Sequence, residues 1–393
     1  MSKLKMHFHW LDPQVSRGFR SGVSLHGHTT HSHESLNMIP DYARQSRTLS
    51  LAVRALQSRY REQTGTELDF SRPYFTPPLS ASEAFRVEAG QIEQDLNLEA
   101  LVSLTDHDSI EAPLRLRMFI DESKVPASLE WTVPFLDTVF HIGVHNIPID
   151  GVQSLICDLA ETRCQRCQAA GTSCSAVGML ERNHALISMK VADELFARLN
   201  DLPHTLVVLN HPFWDMSGIG SDRHRVVLNT FLTRFARYIH AIEVNGLRSW
   251  KENLATMELA ERWKLPAVSG GDRHGCEANA VLNLTHQSTF QDFVDEIRTE
   301  QRSEIIFMRQ YREPLRLRKM RIGLDLLRDY PHHNDGTRRW SDRVYIPWRD
   351  GATIKLSEIL NDNQPLSLHG AISFLRLLET RPIQPILRIA LSE

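Results

Sequence analysis

Histidines cluster near the amino terminus of this chain of 393 residues. There are 19 histidines, and four of them, His26, His28, His31 and His33, fall within eight residues. Neutral imidazole binds divalent metals, so such clustering usually has a chemical cause. If residues 22–28 form a strand, positions i and i+2 point to one side, and His26 and His28 could hold one ion together. Alone, an H-x-H pair is weak support for a metal site, because many such pairs are ordinary core or surface residues.

Further ionisable residues fall at or near the ends of predicted strands. They are His33, the run Asp106-His107-Asp108, Glu130, His141, His211, and Asp272 with His274. Burying so many ionisable groups without partners would cost several kcal/mol apiece, so we expect them to be exposed, paired or bound to cations. Mixed nitrogen and carboxylate ligands favour zinc, manganese or iron over calcium or magnesium alone.

The elements that must position these residues alternate between strands and helices. Apolar runs predict strands over 22–28, 100–105, 129–135, 138–144, 206–209, 241–244, 266–269 and 304–307. Helical spacing predicts helices over about 39–61, 83–96, 225–238, 250–263 and 290–298, the second capped by Ser80 or Ser82. Strand, loop and helix repeated in this way indicate parallel βα units, in which the chemistry lies just past the carboxyl ends of the strands.

Several of these segments, in this order, resemble the polymerase and histidinol phosphatase (PHP) family. They are Leu25-His26-Gly27-His28-Thr29-Thr30, Leu104-Thr105-Asp106-His107-Asp108, Glu130, His141-Ile142-Gly143, Asn210-His211-Pro212 and Gly270-Gly271-Asp272-Arg273-His274. The resemblance implies an α/β fold, a distorted (β/α)7 TIM-like barrel of the PHP type with insertions and a C-terminal extension. It also implies two or three divalent metal ions, Zn, Mn or Fe, at the carboxyl-terminal mouth.

The resemblance also implies a ligand set for each ion. The first ion would be held by His26, His28, Glu130 and Asp272. Glu130 would bridge to a second ion held by His141 and His211, and a third would be held by His33, His107 and His274. Many family members have Asp where this chain has His33, so the choice between His33 and His31 stays open at the third site.

The function implied is a metal-dependent phosphoesterase, a hydrolase acting on a phosphomonoester or nucleotide-like phosphate. A water that bridges two cations can lose its proton near neutral pH, which makes a metal-bridging hydroxide the expected nucleophile. Three alternatives stay open: a nuclease acting on nucleic-acid phosphodiesters, a non-catalytic metal-binding regulatory module, and a metal-dependent amidohydrolase. The expected partner is a small phosphorylated substrate, with nucleic acid as the alternative.

Other residues are candidates for catalysis and substrate binding. Asp106 could orient a ligand histidine or accept a proton from the attacking water, or it could be an ordinary strand-end carboxylate. Arg273 could bind phosphate bidentately or form a structural salt bridge. His145 and Arg248 are weaker substrate-binding candidates. Glu243 could support a ligand or simply be a paired acid.

The sequence predicts three regions. Residues 1–20 form an N-terminal segment, residues 21–308 the metal-binding barrel, with insertions at about 37–76 and 150–190, and residues 309–393 a basic extension. The first insertion is either a lid over the site or a helical decoration. Residues 309–349 contain eleven Lys or Arg against five Asp or Glu. They predict either an arginine-rich helix packed on the barrel or a phosphate- or nucleic-acid-binding surface.

Composition sets the broad class. Hydrophobic residues make up 41% and charged residues 24% of the chain, as in ordinary globular proteins. The formal net charge of −3 gives no general reason to expect binding to polyanions or a membrane surface. The chain lacks a signal-like segment and an 18-residue apolar run, so we expect a cytoplasmic protein. Cys157, Cys164, Cys167 and Cys174 have spacings of seven, three and seven, which fit one face of a helix or a metal site.

Overall fold

A computed structural model gives the structure of the protein. It describes residues 4–161 except 13, 38 and 46, residues 189–330, 339–348 and 352–360, and the isolated positions 370, 373 and 377. The expected C-terminal extension is therefore described mainly up to residue 360. Most of the predicted insertion at 150–190, including Cys164, Cys167 and Cys174, lies outside the described residues, while Cys157 is exposed on a helix.

The described residues form a mixed α/β fold. The strands are β1 (Lys5–Trp10), β2 (Ser21–Ser24), β3 (Glu34–Ser35), β4 (Tyr74–Phe75), β5 (Glu99–Val102), β6 (Leu129–Phe135), β7 (Thr138–His145), β8 (Leu206–Leu209), β9 (Ala241–Asn245), β10 (Ala267–Gly270), β11 (Val281–Thr285), β12 (Arg302–Phe307), β13 (Val344–Pro347) and β14 (Thr353–Lys355). The α-helices are α1 (Ile39–Gln45), α2 (Arg47–Thr64), α3 (Ala81–Gln91), α4 (Glu111–Leu116), α5 (Val152–Glu161), α6 (Met189–Asp201), α7 (Ser221–Phe235), α8 (Trp250–Trp263), α9 (Phe290–Asp295), α10 (Leu315–Leu326) and α11 (Leu356–Leu360).

Two five-stranded sheets carry the site. The first has the order β1-β12-β11-β2-β5, in which β1 runs parallel to β12 and β2 parallel to β5, while β11 is antiparallel to both neighbours. The second has the order β10-β9-β8-β7-β6, in which β8, β9 and β10 are parallel and β6 and β7 form the predicted hairpin. Part of the N-terminal segment 1–20 thus belongs to the first sheet as its edge strand.

Two isolated bridges link the two sheets, and three of their four residues lie just past a strand end, while Glu130 lies within β6. Gly27 pairs with Arg273, and His107 pairs with Glu130, both in parallel. In the part of the chain that the structure describes, no continuous ladder joins the sheets. The mixed α/β class is confirmed, and a closed barrel stays a prediction.

A third sheet combines the first insertion with the extension. Its order is β14-β13-β4-β3, in which β4, at the end of the predicted insertion, pairs with β13 of the extension, and β3 pairs with β4. One face covers a separate apolar cluster that includes Tyr60, Leu68, Trp340, Ile346 and Ile359. Residues predicted as two separate additions therefore form one appended unit, and β3 of that unit begins at Glu34.

The N-terminus of α3 shows why a predicted helix begins where it does. Ser80 caps it through a capping box: Glu83 N donates to Ser80 Oγ, and Ser80 N donates to the Glu83 carboxylate at 3.0 Å. Of the two predicted caps, Ser80 is the one used. The helix packs against the first sheet and buries Glu88, whose carboxylate reaches the site described below.

Arginines of the extension turn inward. Arg318 on α10 is 4% exposed and lies over the ring of Tyr311, and Arg343 is 1% exposed and donates to two backbone carbonyls. Arg321 pairs with Glu313. All three arginines are engaged by residues of the segment itself, and Arg321 Nη1 also lies 3.8 Å from Glu277 in the region before it. Among the described residues, no helix combines the length and apolarity needed to cross a bilayer.

Candidate metal centre

The loops after the strands hold the predicted ligands in strained conformations. His26, His211 and Asp272 have positive φ angles of 63°, 26° and 52°, a region that non-glycine residues rarely occupy. Strand β2 ends at Ser24, so the expected strand geometry for His26 and His28 is wrong. Their side chains meet because the left-handed turn at His26 redirects the backbone. Such strain is typical of functional sites held by their surroundings.

Glu130 lies at the centre of the site. It is fully buried on β6, and its Oε1 atom lies 3.1 Å from His26 Nε2, 3.2 Å from His141 Nδ1 and 3.3 Å from His211 Nε2. Asn210 donates a hydrogen bond of 2.8 Å to the same oxygen. One carboxylate oxygen thus faces three imidazole nitrogens.

The other oxygen of Glu130 faces a different set. Its Oε2 atom lies 3.5 Å from His28 Nε2 and 3.2 Å from His107 Nδ1. The second nitrogen of His107 faces away from Glu130, 3.3 Å from Glu34 Oε2. Glu130 therefore has the geometry of a bridging carboxylate, with each oxygen turned toward a separate group of donors.

Glu34 completes a further group that sequence reasoning missed. Its Oε2 atom lies 3.1 Å from His274 Nε2, and Oε1 lies 3.7 Å from His28 Nδ1. Ser32 Oγ donates to Glu34 Oε1 at 2.6 Å and lies 3.2 Å from His28 Nδ1. The carboxylate is thus aimed at the site from the start of β3.

The structure puts Glu34 where the resemblance implied His33. The imidazole of His33 is stacked on Tyr74 with ring centroids 4.1 Å apart, on the appended sheet. Because successive residues of an extended segment point to opposite sides, only one of the two neighbours can face the site. His31 does not replace His33, since its Nδ1 atom lies 3.2 Å from Glu111. The sequence did contain a signal for Glu34: in an extended segment Ser32 and Glu34 point to the same side, and His33 points to the other.

Eight of the nine predicted ligands, all except His33, form four overlapping groups together with Glu34, and the donor atoms of each group lie within 4.8 Å of one another. The groups are His28, Glu34, His107 and His274; His26, His28 and Asp272; His26, Glu130 and His211; and His107, Glu130 and His141. Four buried atoms in them lack a hydrogen-bond partner among the described residues, namely His107 Nδ1, Glu130 Oε2, His141 Nδ1 and His211 Nε2. Buried donors and acceptors are normally satisfied. Unpaired nitrogen and oxygen atoms that converge in this way fit divalent cations.

Three carboxylates of the site stay ionised. Burial disfavours charge on Glu34, Glu130 and Asp272, but the surrounding histidines outweigh it and hold all three pKa values well below the usual range. Burial lowers the pKa of His28 to about 3, which leaves its imidazole neutral. Burial acts in the same direction on three other ligand histidines, but neighbouring carboxylates outweigh it, raising the pKa of His107 to about 10 and the pKa values of His26 and His274 above the usual range. A divalent cation would take the place of these protons between the carboxylates and the imidazoles.

Second partners orient the ligands. Glu243 on β9 lies 2.6 Å from His26 Nδ1, so its carboxylate fixes the ring with Nε2 toward Glu130. Glu243 in turn accepts a hydrogen bond from Asn245. The supporting role considered for Glu243 matches this contact. Carboxylate partners of this kind raise the basicity of a ligand histidine.

Arg273 is not placed as a phosphate-binding residue. It is 3% exposed, and all three guanidinium nitrogens are used: Nε donates to Glu88 at 2.8 Å, Nη1 to Gly275 O at 3.0 Å and Nη2 to His28 O at 2.9 Å. The guanidinium is buried and each of its nitrogens already donates to a protein oxygen, so it is not presented to a substrate. It ties two ligand-bearing loops together, as in the structural salt bridge considered for it.

Asp106 also differs from its expected role. It accepts hydrogen bonds from Thr29 N at 2.6 Å and Thr29 Oγ1 at 2.7 Å rather than from a ligand histidine. Burial raises its pKa to about 6. Both oxygens are engaged by the residue after His28, so Asp106 anchors that loop and is not directed at the reacting centre.

The two weaker substrate-binding candidates, His145 and Arg248, lie in different places. His145 is 1% exposed, and its Nδ1 atom lies 2.8 Å from Ser103 Oγ in the interior, so a substrate arriving from solvent does not reach it. Burial lowers its pKa to about 3. Arg248 instead lies at the site, with Nη2 3.4 Å from Asp272 Oδ2.

Comparisons with known proteins give little beyond this geometry. No family profile and no curated protein matches the chain. PsfC from Pseudomonas syringae PB-5123 is 15% identical, with a TM-score of 0.37 over 77% of this chain and 96% of PsfC. An amidohydrolase from Chromobacterium violaceum, with bound sulfate and no metal, is 17% identical, with a TM-score of 0.35 over 56% of this chain and 92% of its own. A Bifidobacterium adolescentis protein, described as a proposed metal-dependent phosphoesterase, is 16% identical, with a TM-score of 0.31 over 56% of this chain and 91% of its own. Likenesses this weak carry no argument.

Proposed function

We propose that the protein is a metal-dependent phosphoesterase of the PHP type that hydrolyses a small phosphomonoester or nucleotide-like phosphate. The observation that carries the proposal is Glu130, a buried carboxylate whose two oxygens face five histidine nitrogens at 3.1–3.5 Å. We further propose two or three divalent ions, Zn, Mn or Fe, held by the four groups of donors defined above.

The residues divide the work of phosphoester hydrolysis. Bound divalent ions would supply a water of lowered pKa and charge to offset the phosphoryl oxygens. Glu130 would bridge two ions, because each of its oxygens faces a different group of histidines. Asp272 would bind an ion on the side of the site where Arg248 lies. Arg248 would bind a phosphate oxygen, since a charged guanidinium forms strong hydrogen bonds with phosphate.

The barrel implied by the resemblance is part of this proposal. Strands β2 and β5 of the first sheet and β6 to β10 of the second would close a ring of seven through the two isolated bridges at Gly27 and Glu130. Ligands of the proposed centre lie next to both bridges, as expected for a site at the mouth of such a ring. A crystal structure with continuous backbone hydrogen bonds at both junctions would test the closure.

Metal content and turnover test the function together. We would purify the protein without chelator, determine its metals by elemental analysis, and measure hydrolysis of a chromogenic phosphoester before and after chelation. Two or three equivalents of transition metal with chelator-sensitive turnover would support the proposal. His26→Ala and Asp272→Ala should each abolish turnover while circular dichroism still shows a folded protein. Metal-free protein with full turnover would contradict the proposal.

A further inference from the structure

Trp214 packs against the proposed metal ligands. It lies in the loop after β8, and its backbone N donates to His211 O at 2.9 Å. Its ring stands edge-on to two ligand histidines, with centroids 4.9 Å from His211 and 6.2 Å from His141. One part of the indole is therefore fixed by the centre itself.

The face of Trp214 carries Arg248. The guanidinium carbon lies 4.3 Å from the ring centroid, and Nη2 lies 3.4 Å from Asp272 Oδ2. Arg248 is only 8% exposed, yet its Nε makes no hydrogen bond with any described residue; Glu252 Oε1 is 3.6 Å away. A buried, charged donor without a hydrogen bond is costly, which points to an acceptor that arrives with a ligand.

The backbone of Arg248 is held independently of its side chain. Tyr311 Oη donates to Arg248 O at 3.1 Å, and Arg248 N donates to Asn245 O at 3.3 Å. The long side chain still has several rotatable bonds, which the backbone contacts do not restrict. The orientation of the Arg248 guanidinium plane is instead restricted by stacking on Trp214 and by the contact with Asp272.

We infer that Trp214 is a positioning residue that holds Arg248 flat beside the centre, with its Nε, which makes no hydrogen bond with a described residue, ready for a phosphate group. This inference rests on the proposed function and deepens it, because it selects anionic phosphate over neutral amides. A planar guanidinium recognises phosphate through two parallel hydrogen bonds, so the orientation of its plane decides the affinity. Since Arg273 is buried against Glu88, Gly275 and His28, Arg248 is the guanidinium among the described site residues that this phosphate meets.

Binding of inorganic phosphate to the metal-loaded full-length protein tests the inference. Trp214→Leu removes the aromatic face and should weaken phosphate binding by about 2- to 30-fold, the range of cation–π contacts. Trp214→Phe should retain part of the affinity. Metal content should stay unchanged in both variants. Trp250→Leu is the control, because Trp250 packs on Trp10 and is 41% exposed.

A double-mutant cycle separates positioning from simple packing. In an Arg248→Met background, Trp214→Leu should cause no further loss of phosphate affinity, because its effect acts through the guanidinium. An equal loss in both backgrounds, loss of bound metal in Trp214→Leu, or no phosphate binding by the wild type would each overturn the inference. Absence of phosphoester hydrolysis would refute the proposed function instead, and the phosphate cycle would still decide the role of Trp214.

Discussion

Replacing Arg273 by Met should destabilise the fold rather than weaken substrate binding. The guanidinium is 3% exposed and its Nε lies 2.8 Å from Glu88, which is itself 1% exposed. In Arg273→Met, Glu88 keeps hydrogen bonds from Ser24 Oγ at 2.9 Å and Asn279 N at 3.1 Å but loses its only cation among the described residues. Breaking a buried pair on one side costs about 3–5 kcal/mol of unfolding free energy.

The loss should depend on pH in a defined direction. Burial already raises the pKa of Glu88 in the wild type, although Arg273 opposes the shift. Without Arg273 the pKa rises further, and each additional unit corresponds to about 1.4 kcal/mol. A buried carboxyl with a raised pKa destabilises the folded state when it loses its proton. Because this pKa is higher in the variant than in the wild type, the difference in unfolding free energy between the two proteins grows as the pH rises from the wild-type pKa to the variant pKa.

Urea unfolding followed by tryptophan fluorescence at about pH 5.5 and about pH 8 would measure both effects. Arg115→Met is the matched control, because Arg115 forms an exposed pair with Glu111 at 3.1 Å and should change stability by about 0.5 kcal/mol or less. If Arg273→Met stayed within about 1 kcal/mol of the wild type and instead lost phosphate affinity, the structural role assigned here would be refuted.

Three further outcomes follow from the site. Glu34→Ala should lower the bound metal by about one equivalent, whereas His33→Ala should leave it unchanged, as determined by elemental analysis; the reverse result would restore His33 as the ligand. Asp106→Ala should cost about 1–3 kcal/mol in urea unfolding, because it leaves Thr29 N and Oγ1 without their acceptor; an unchanged midpoint would mean that water replaces the carboxylate. Added zinc or manganese at about 100 times its dissociation constant should stabilise the wild type by about 2.7 kcal/mol in thermal melts, and the effect should shrink in Glu130→Gln; equal stabilisation of both proteins would place the bound ion elsewhere.

Much of the fold could be predicted from local patterns. The apolar run 206–209 and the helix 250–263 have the predicted bounds, and the hairpin over 129–135 and 138–144 is observed within one residue. Strands β1 and β11 were missed. Strand β1 pairs with β12 near the other end of the described chain, and β11 pairs both with its neighbour β12 and with the distant β2, so neither belongs to a repeated βα unit.

The sequence predicted which types of residue form the site better than it predicted which residues contact one another. Residue types pointed to ionisable groups gathered at strand ends, the resemblance implied that Glu130 and the histidines are metal ligands, and the structure brings these residues together. It could not distinguish Glu34 from His33, because the choice depends on pairing with β4, which the insertion separates from β3. The partner of Arg273 was equally hidden, since Glu88 lies 185 positions earlier in the chain.

Glu34 is made early in translation, but the strand that completes its sheet is made late. Strands β3 and β4 have two residues each and are too short to pair stably alone, so they depend on β13, which begins only at Val344. A nascent chain emerging from the ribosome therefore carries every ligand histidine long before the segment that fixes Glu34 has been made. A product that ends before Val344 would still contain Glu34, but it would lack the strand that pairs with β4 and so holds β3 in place.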